Sequence, residues 1–276
     1  MWSIGIYSGP TPFELSGTAN PVVTKESVND VPASFVADPF MVHHSGVWYM
    51  FFEVMNEESE KGEIGLATSN NGHDFEYQQI VLSEPFHLSY PGVFQWNDEF
   101  FMVPETLGAE AACLYRADPF PSAWTLHAKI LNGSHADPSL FRCDNKWWMF
   151  TCSTPYQHDE LRLFFSSELL GRWQEHPASP IVTGNKRDAR PAGRVIINNG
   201  NPIRFAQDCT ERYGAGVSAF EITELTTDRY RERPCNRNPI LSGSGSGWNA
   251  LGMHHLDAHF DNGHWIACVD GYAADS

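Results

Sequence analysis

Carboxylate side chains recur at matching positions of a repeated strand pattern. Five times along the chain, an apolar run, a turn rich in Asn, Asp or Gly, and a second apolar run follow one another. Residues 15 positions apart hold equivalent places in the two runs: Asp38 and Glu53, Tyr90 and Glu105, Asp137 and Cys152, Gly193 and Asp208, and His255 and Asp270. Six of these ten positions are Asp or Glu. Strands disfavour Asp, and acids that converge at a pocket would explain the enrichment.

Acids grouped in this way could perform general acid and base chemistry. Hydrolysis of a glycosidic bond uses one carboxylate to activate water or attack the sugar, and a second, protonated carboxyl to protonate the leaving oxygen. The candidate catalytic residues are Asp38, Glu105, Asp208 and Asp137. A structural alternative stays open for the Asp-Pro motifs at Asp38 and Asp137. Asp before Pro at the start of a strand is often a turn or bulge device whose carboxylate accepts backbone N–H groups.

Basic, histidine and aromatic side chains accompany the acids. Four arginines fall within 18 positions, where they could clamp an anionic ligand group or neutralise the acids: Arg187, Arg190, Arg194 and Arg204. The sequence has no HExxH motif or similar metal-ligand spacing, so we expect neither a catalytic metal nor a cofactor. Aromatic rings at the mouth of a funnel suit the apolar faces of sugars. The predicted ligand-binding residues are Tyr90, Glu53, His87, Arg190, Arg194, Gln207, His255 and Asp270.

The elements that would position these residues are short strands. The five hairpins start 52, 47, 56 and 62 residues apart, and a third and a fourth short apolar run follow several of them. Four strands per unit and five units predict an all-β, five-bladed β-propeller that forms one domain over residues 1–276. The fifth unit lacks its outer strands, so we expect N-terminal strands near residues 4–7 and 21–23 to complete it and close the ring.

The amino-acid composition limits the classes of binding partner that we expect. The chain has 18 Lys and Arg against 34 Asp and Glu, a formal charge of −16, which excludes nucleic acid and anionic membrane surfaces as expected partners. We find no signal peptide and no 18-residue apolar run. This favours a cytoplasmic chain that has no membrane span. The six cysteines are scattered without a CxxC pair, so we expect mostly buried free thiols.

Two resemblances follow from these motifs. Val36-Ala37-Asp38-Pro39-Phe40 and His135-Ala136-Asp137-Pro138-Ser139-Leu140-Phe141 resemble motifs of the five-bladed glycosidases of glycoside hydrolase family 43 and related furanosidases. Over nearly its full length the chain is similar to the N-terminal domain family of plant glucosamine inositolphosphorylceramide transferases and its stand-alone bacterial relatives. That similarity is carried by Trp2-Ser3-Ile4-Gly5-Ile6-Tyr7, His87-Leu88-Ser89-Tyr90-Pro91, Pro104-Glu105-Thr106, Ala192-Gly193-Arg194 and Gln207-Asp208.

The glycosidase resemblance implies a catalytic triad that this sequence matches in part. Asp38 matches the catalytic base, and Asp137 matches the residue that tunes the pKa of the acid. The family's acid motif is replaced by the stretch 190–194, Arg-Pro-Ala-Gly-Arg, so Glu105, Asp208 and His255 are the candidate donors in that order. We expect a furanosidase-like glycoside hydrolase with a carbohydrate substrate. The alternative is a non-hydrolytic carbohydrate-binding or glycosyltransferase-associated propeller.

Overall fold

Five antiparallel sheets form a ring in the computed structural model, which describes residues 1–274. The predicted five-bladed β-propeller is therefore confirmed. The N-terminal strands are β1 (Trp2–Thr11) and β2 (Glu14–Ser16). The first blade consists of β3 (Ala33–His44), β4 (Val47–Asn56), β5 (Lys61–Ser69) and β6 (Glu76–Leu82). The second blade consists of β7 (Ser89–Trp96), β8 (Glu99–Glu105), β9 (Ala111–Ala117) and β10 (Trp124–Asn132).

The third and fourth blades have a divided outer edge. The third comprises β11 (Ala136–Cys143), β12 (Lys146–Cys152), β13 (Glu160–Ser166), β14 (Gln174–Glu175) and β15 (Val182–Thr183). Strands β14 and β15 both pair with β13. The fourth comprises β16 (Arg190–Pro191), β17 (Ile196–Asn198), β18 (Asn201–Asp208), β19 (Gly216–Leu225), β20 (Tyr230–Pro234) and β21 (Leu241–Ser242). Strands β20 and β21 both pair with β19, so two short pieces replace one outer strand in each of these blades.

The fifth blade joins the two ends of the chain. Its inner strands are β22 (Leu256–Asp261) and β23 (His264–Tyr272), and its strand order is β2-β1-β23-β22. Ile4 of β1 pairs with Asp270 of β23, which confirms the predicted closure. The outer strand is β2 and not the stretch 21–23, where Val23 makes only an isolated bridge to Ile4.

Local turn chemistry and packing between blades explain this fold. Two-residue hairpin turns that match the strand twist need positive φ at both central residues, and Asn199 (φ 50°) and Gly200 (φ 85°) provide it between β17 and β18. The apolar core lies between neighbouring blades. Ile4 of the fifth blade, for example, belongs to one buried cluster with Met50 and Phe52 of the first.

Cysteines and short helical turns complete the described scaffold. All six cysteines lie within the described residues and are unpaired, four of them buried, which confirms the expectation of free thiols. The described helices are three 3₁₀ turns of three residues each: Lys25–Ser27, Leu107–Ala109 and Gly247–Asn249. Within residues 1–274, no helix has the length and apolar character needed to cross a membrane.

Candidate functional site

The same backbone feature orients a polar side chain on the inner strand of three consecutive blades. Asp38, Tyr90 and Asp137 have φ values of 53°, 51° and 50°, in the left-handed region that L-residues seldom adopt. At each of them the pairing of the inner strand with its neighbour shifts register. Such a bulge re-aims a side chain. All three side chains are buried, and each residue precedes a proline, which cannot donate a ladder hydrogen bond.

Carboxylates on the second strands hold two of these three bulges in place across blade boundaries. Glu105 of the second blade accepts a hydrogen bond from the backbone N–H of Asp137 in the third, at 3.1 Å. Asp270 of the fifth blade accepts one from the backbone N–H of Asp38 in the first, also at 3.1 Å. Acids of the second-strand series therefore contact first-strand positions of the next blade, and not the positions 15 residues earlier in their own hairpin.

Arg190 pairs with two of these acids, Asp137 and Glu105. Its Nε donates to Asp137 Oδ2 at 2.6 Å, and its Nη2 donates to Glu105 Oε2 at 3.4 Å. Gln207 Nε2 donates to the same Asp137 oxygen at 2.9 Å. Burial, together with the charge of Asp137, raises the pKa of Glu105 to about 8 although Arg190 opposes the shift. The direction of this shift favours the protonated form of Glu105.

His254 bridges the other two acids, Asp38 and Asp270. Its Nδ1 lies 2.8 Å from Asp270 Oδ1, and its Nε2 lies 3.4 Å from Asp38 Oδ1. Burial disfavours the charged ring, but Asp270 and Asp38 raise the pKa of His254 to about 9. Burial, with the charges of neighbouring carboxylates, raises the pKa of Asp38 well above its usual range although His254 opposes the shift.

We call this group the axial cluster, and it consists of Asp38, Glu105, Asp137, Arg190, Gln207, His254 and Asp270. Asp38, His254 and Asp270 each offer one ligand atom, and these atoms lie within 4.8 Å of one another. This triad is therefore the part of the cluster with the geometry to hold a cation. Within it, His254 and Asp270 already hydrogen-bond each other at 2.8 Å, and Asp38 Oδ1 lies 3.4 Å from His254 Nε2.

The sequence pattern predicts His255 as a site residue, whereas His254 makes the hydrogen bond to Asp270 and the shorter contact to Asp38. His255 is fully buried between the rings of Phe40 and Tyr90, with centroids 4.6 and 5.3 Å away. Its Nδ1 lies 3.7 Å from Asp38 Oδ1, and neither ring nitrogen forms a hydrogen bond within the described part of the chain. Burial lowers the pKa of His255 to about 4.

The fourth blade departs from the 15-residue spacing. Arg190 pairs with Gln207, while Asp208 pairs with Gly216 on the other neighbouring strand. Adjacent residues on a strand point to opposite faces, so Gln207 reaches Asp137 and Asp208 does not. Asp208 accepts hydrogen bonds from Thr210 in its own turn and has no hydrogen bond or ion pair to the axial cluster among residues 1–274. A catalytic role for Asp208 stays a prediction.

Gly193 and Arg194 lie farther along the axis. The Tyr90 hydroxyl, held by Ser139 at 2.7 Å, donates to the carbonyl oxygen of Gly193 at 3.0 Å. The guanidinium of Arg194 contacts Asp257 at 2.6 Å and the carbonyl oxygens of Met41 and Val93 at 3.1 and 2.9 Å. Arg194 therefore crosslinks four blades. Arg190 therefore pairs with acids of the axial cluster, whereas Arg194 pairs with Asp257 outside it. A ligand-binding role for either arginine stays a prediction.

The rim of the axial cluster carries a histidine and a tyrosine. His87 is exposed and lies 3.2 Å from Glu53. Burial disfavours its charged form, but Glu53 and Glu105 raise the pKa of His87 above its ordinary value. Tyr213, which the sequence analysis missed, is 41% exposed, and its ring lies 5.2 Å from both the Arg190 guanidinium and the His254 ring. Only its place in a loop beside β18 could have indicated it.

Comparisons with known proteins match nearly the whole chain. The family model described as "Glucosamine inositolphosphorylceramide transferase 1, N-terminal" matches residues 1–272. Glucosamine inositolphosphorylceramide transferase 1 of Oryza sativa subsp. japonica is 35% identical over 295 residues, which cover 98% of this chain and 40% of the rice protein. Its counterpart in Arabidopsis thaliana is 33% identical over 296 residues, with 98% and 39% covered. The chain thus spans about 40% of the length of these relatives.

Solved structures share the fold at low sequence identity. β-1,2-Mannobiose phosphorylase from Listeria innocua superposes with a TM-score of 0.68 at 13% identity, covering 96% of each chain. The catalytic domain of the GH62 α-L-arabinofuranosidase of Coprinopsis cinerea gives 0.64 at 11% identity, covering 98% of this chain and 96% of that one. At such identities the similarity establishes the propeller architecture of carbohydrate-active enzymes and not an activity.

Proposed function

Since this chain belongs to the family of the N-terminal domain of glucosamine inositolphosphorylceramide transferase 1, we propose that it is a carbohydrate-binding propeller associated with glycosyl transfer. The proposed binding site is the axial cluster, under the ring of Tyr213. In this proposal the cluster binds a sugar unit and does not hydrolyse its glycosidic bond.

The ion pairing of the acids carries this proposal. A glycosidase needs one ionised carboxylate and one protonated carboxyl free to face the scissile bond. Here Asp137 is held by Arg190 at 2.6 Å, and Asp270 is held by His254 at 2.8 Å. Asp38, which occupies the position of the base, has a raised pKa and so favours the protonated form that cannot activate water. Fixed donors and acceptors of this kind suit recognition of hydroxyl groups.

The hydrogen-bond acceptors of the site favour an amino sugar. The axial cluster and the neighbouring Glu53 contribute five buried carboxyl groups: Asp38, Glu53, Glu105, Asp137 and Asp270. Carboxyl and carboxylate oxygens accept hydrogen bonds from an amino group, and the curated relatives are named for glucosamine. We therefore propose glucosamine, or a glycan that carries it, as the ligand, bound more tightly than N-acetylglucosamine.

Calorimetric titration with glucosamine tests this proposal. We expect saturable binding to the wild-type chain and at least tenfold weaker binding to Asp137→Asn, which weakens the contacts to Arg190 and Gln207. Glu232→Gln is the matched control, because Glu232 also holds a buried arginine, Arg204, at 2.5 Å, but outside the axial cluster. Equal affinity of wild-type and Asp137→Asn chains would remove the axial cluster from recognition.

Hydrolysis is the second candidate, and one observation favours it. A pKa near 8 keeps Glu105 protonated at neutral pH, which is the state of a general acid. A screen against aryl furanosides, aryl pyranosides and uronic-acid-containing oligosaccharides tests this candidate. Turnover that disappears in both Asp38→Asn and Glu105→Gln would establish a hydrolase. Saturable binding without turnover would support the binding proposal.

A further inference from the structure

A second cavity lies between the fourth and fifth blades, away from the axial cluster. Its volume is about 500 Å³, which is within the range of small-molecule sites. The β1–β2 hairpin, the β17–β18 hairpin and the residues around the end of β20 line this open cavity. We call it the distal cavity, and its lining includes Phe13, Asn198, Asn199, Glu221, Arg233 and Asn236.

Strand lengths separate the distal cavity from the axial cluster. Two residues of β18 show the separation. Asn201 lines the cavity, and Gln207, six residues farther along the strand, contacts Asp137. Six residues of strand span roughly 20 Å. Strand β1 runs from Trp2, whose ring lies 4.0 Å from that of His254, to Thr11 at the cavity, a span of roughly 30 Å. One small ligand therefore cannot touch both places.

The lining offers many hydrogen-bonding groups without net charge. The Glu221 carboxylate pairs with Arg233 at 2.6 Å, and Glu14 pairs with Arg237 at 3.0 Å, so the four lining charges cancel. These pairs leave no excess charge to hold a phosphate or an ammonium group.

Three lining amides are free to bind a ligand. The side chains of Asn198, Asn199 and Asn236 form no hydrogen bond within residues 1–274. Each amide offers two donor hydrogens and an acceptor oxygen, the combination that neighbouring hydroxyl groups require. Phe13 is partly buried and adds one apolar surface to the same lining. An aromatic ring beside amides matches the two kinds of surface on a sugar ring.

We infer that the distal cavity is a second carbohydrate site, and that its ligand is a neutral glycan. This inference goes beyond the function proposed above, because the residues, the charge balance and the ligand class all differ. The two sites therefore respond independently to substitution.

Binding of neutral trisaccharides to a chain whose axial cluster is disabled tests this inference. The probes are maltotriose, cellotriose and mannotriose, titrated by calorimetry into Asp137→Asn. We expect at least one to bind, and the added changes Asn199→Gly and Asn236→Ala to weaken it at least tenfold. Asn262→Gly is the matched control, because Asn262 (φ 48°) occupies the corresponding turn of the fifth blade as Asn199 (φ 50°) does in the fourth.

Each outcome of this test decides the inference. Binding that disappears with the two cavity substitutions and survives Asn262→Gly supports it. Absence of binding by all three trisaccharides, or binding unaffected by the cavity substitutions, overturns the site. If the anionic trisaccharide trigalacturonic acid binds as tightly as the neutral trisaccharides, the inference that the ligand is neutral is overturned. Glucosamine titration of the wild-type chain is expected to be unchanged by the cavity substitutions, so failure here is distinguishable from failure of the proposed function.

Discussion

Glu105→Gln should change the pH dependence of folding stability in a defined direction. The glutamine retains an oxygen that can accept the hydrogen bond from the Asp137 N–H, and it resembles the neutral form of Glu105. The pKa of this carboxyl rises from 4.5 to about 8 on folding. Between these values the folded chain holds a proton that the unfolded chain has released. The free energy of unfolding of the wild type therefore falls as pH rises across this interval, by about 1.4 kcal/mol per pH unit.

The size of the effect follows from that slope. Between pH 6 and pH 8, Glu105 should remove roughly 2 kcal/mol of wild-type stability, because the slope flattens as the folded pKa is approached. Glutamine has no proton to lose, so Glu105→Gln should lack this contribution. Urea denaturation at a series of pH values measures the difference between the two chains, which should grow in favour of the variant by that amount.

Glu232→Gln provides the control for this experiment. Burial opposes ionisation of Glu232, but Arg204 lowers its pKa below the ordinary value, so it stays ionised in both states between pH 6 and pH 8. Its stability difference from the wild type should therefore be flat over that range. Parallel curves for wild type and Glu105→Gln would show that Glu105 is ionised in the folded chain, and would refute the electrostatic description of the cluster.

Three further substitutions test other parts of the structure. Tyr213→Ala should weaken glucosamine binding by roughly 1 kcal/mol in calorimetry, with the thermal midpoint little changed, since the ring is 41% exposed. Gly193→Ala should cost more than about 2 kcal/mol in urea denaturation, because φ is 125° and the new Cβ would lie 1.9 Å from the Leu256 carbonyl oxygen. Arg194→Met should cost about 3–5 kcal/mol in the same assay, because it removes the guanidinium that pairs with the fully buried carboxylate of Asp257.

The architecture could be predicted from the sequence because its signals are local. Turn pairs such as Asn199-Gly200 and Asn262-Gly263 have positive φ at both residues and join strands that the apolar runs already indicate. The repetition of these units and the missing outer strands of the last one predict the closed ring. The outer strands were less predictable. They are short and partly exposed, so weak sequence patterns such as the one at residues 21–23 do not determine them.

The candidate site could be predicted only in part, because bulges alter which residue faces the axis. Equal spacing identifies Asp38, Glu105 and Asp137. In the fourth blade the inner strand is divided into β16 and β17, and Gln207 takes the place expected of Asp208. In the fifth blade His254 makes the contacts expected of His255. The register of a bulged strand depends on partners distant in sequence. Tyr213 reaches the cluster from a loop, where no periodic pattern can indicate it.

One NMR titration tests the central claim, which is that the axial cluster binds an amino sugar without cleaving its glycosidic bond. The probe is 4-nitrophenyl β-D-glucosaminide, which can report binding and hydrolysis in the same tube. The reporter is the side-chain amide of Gln207, which donates to Asp137 at 2.9 Å. We predict a saturable shift of this amide with no release of nitrophenol. Release of nitrophenol, or saturation without any shift of the Gln207 amide, would contradict the claim.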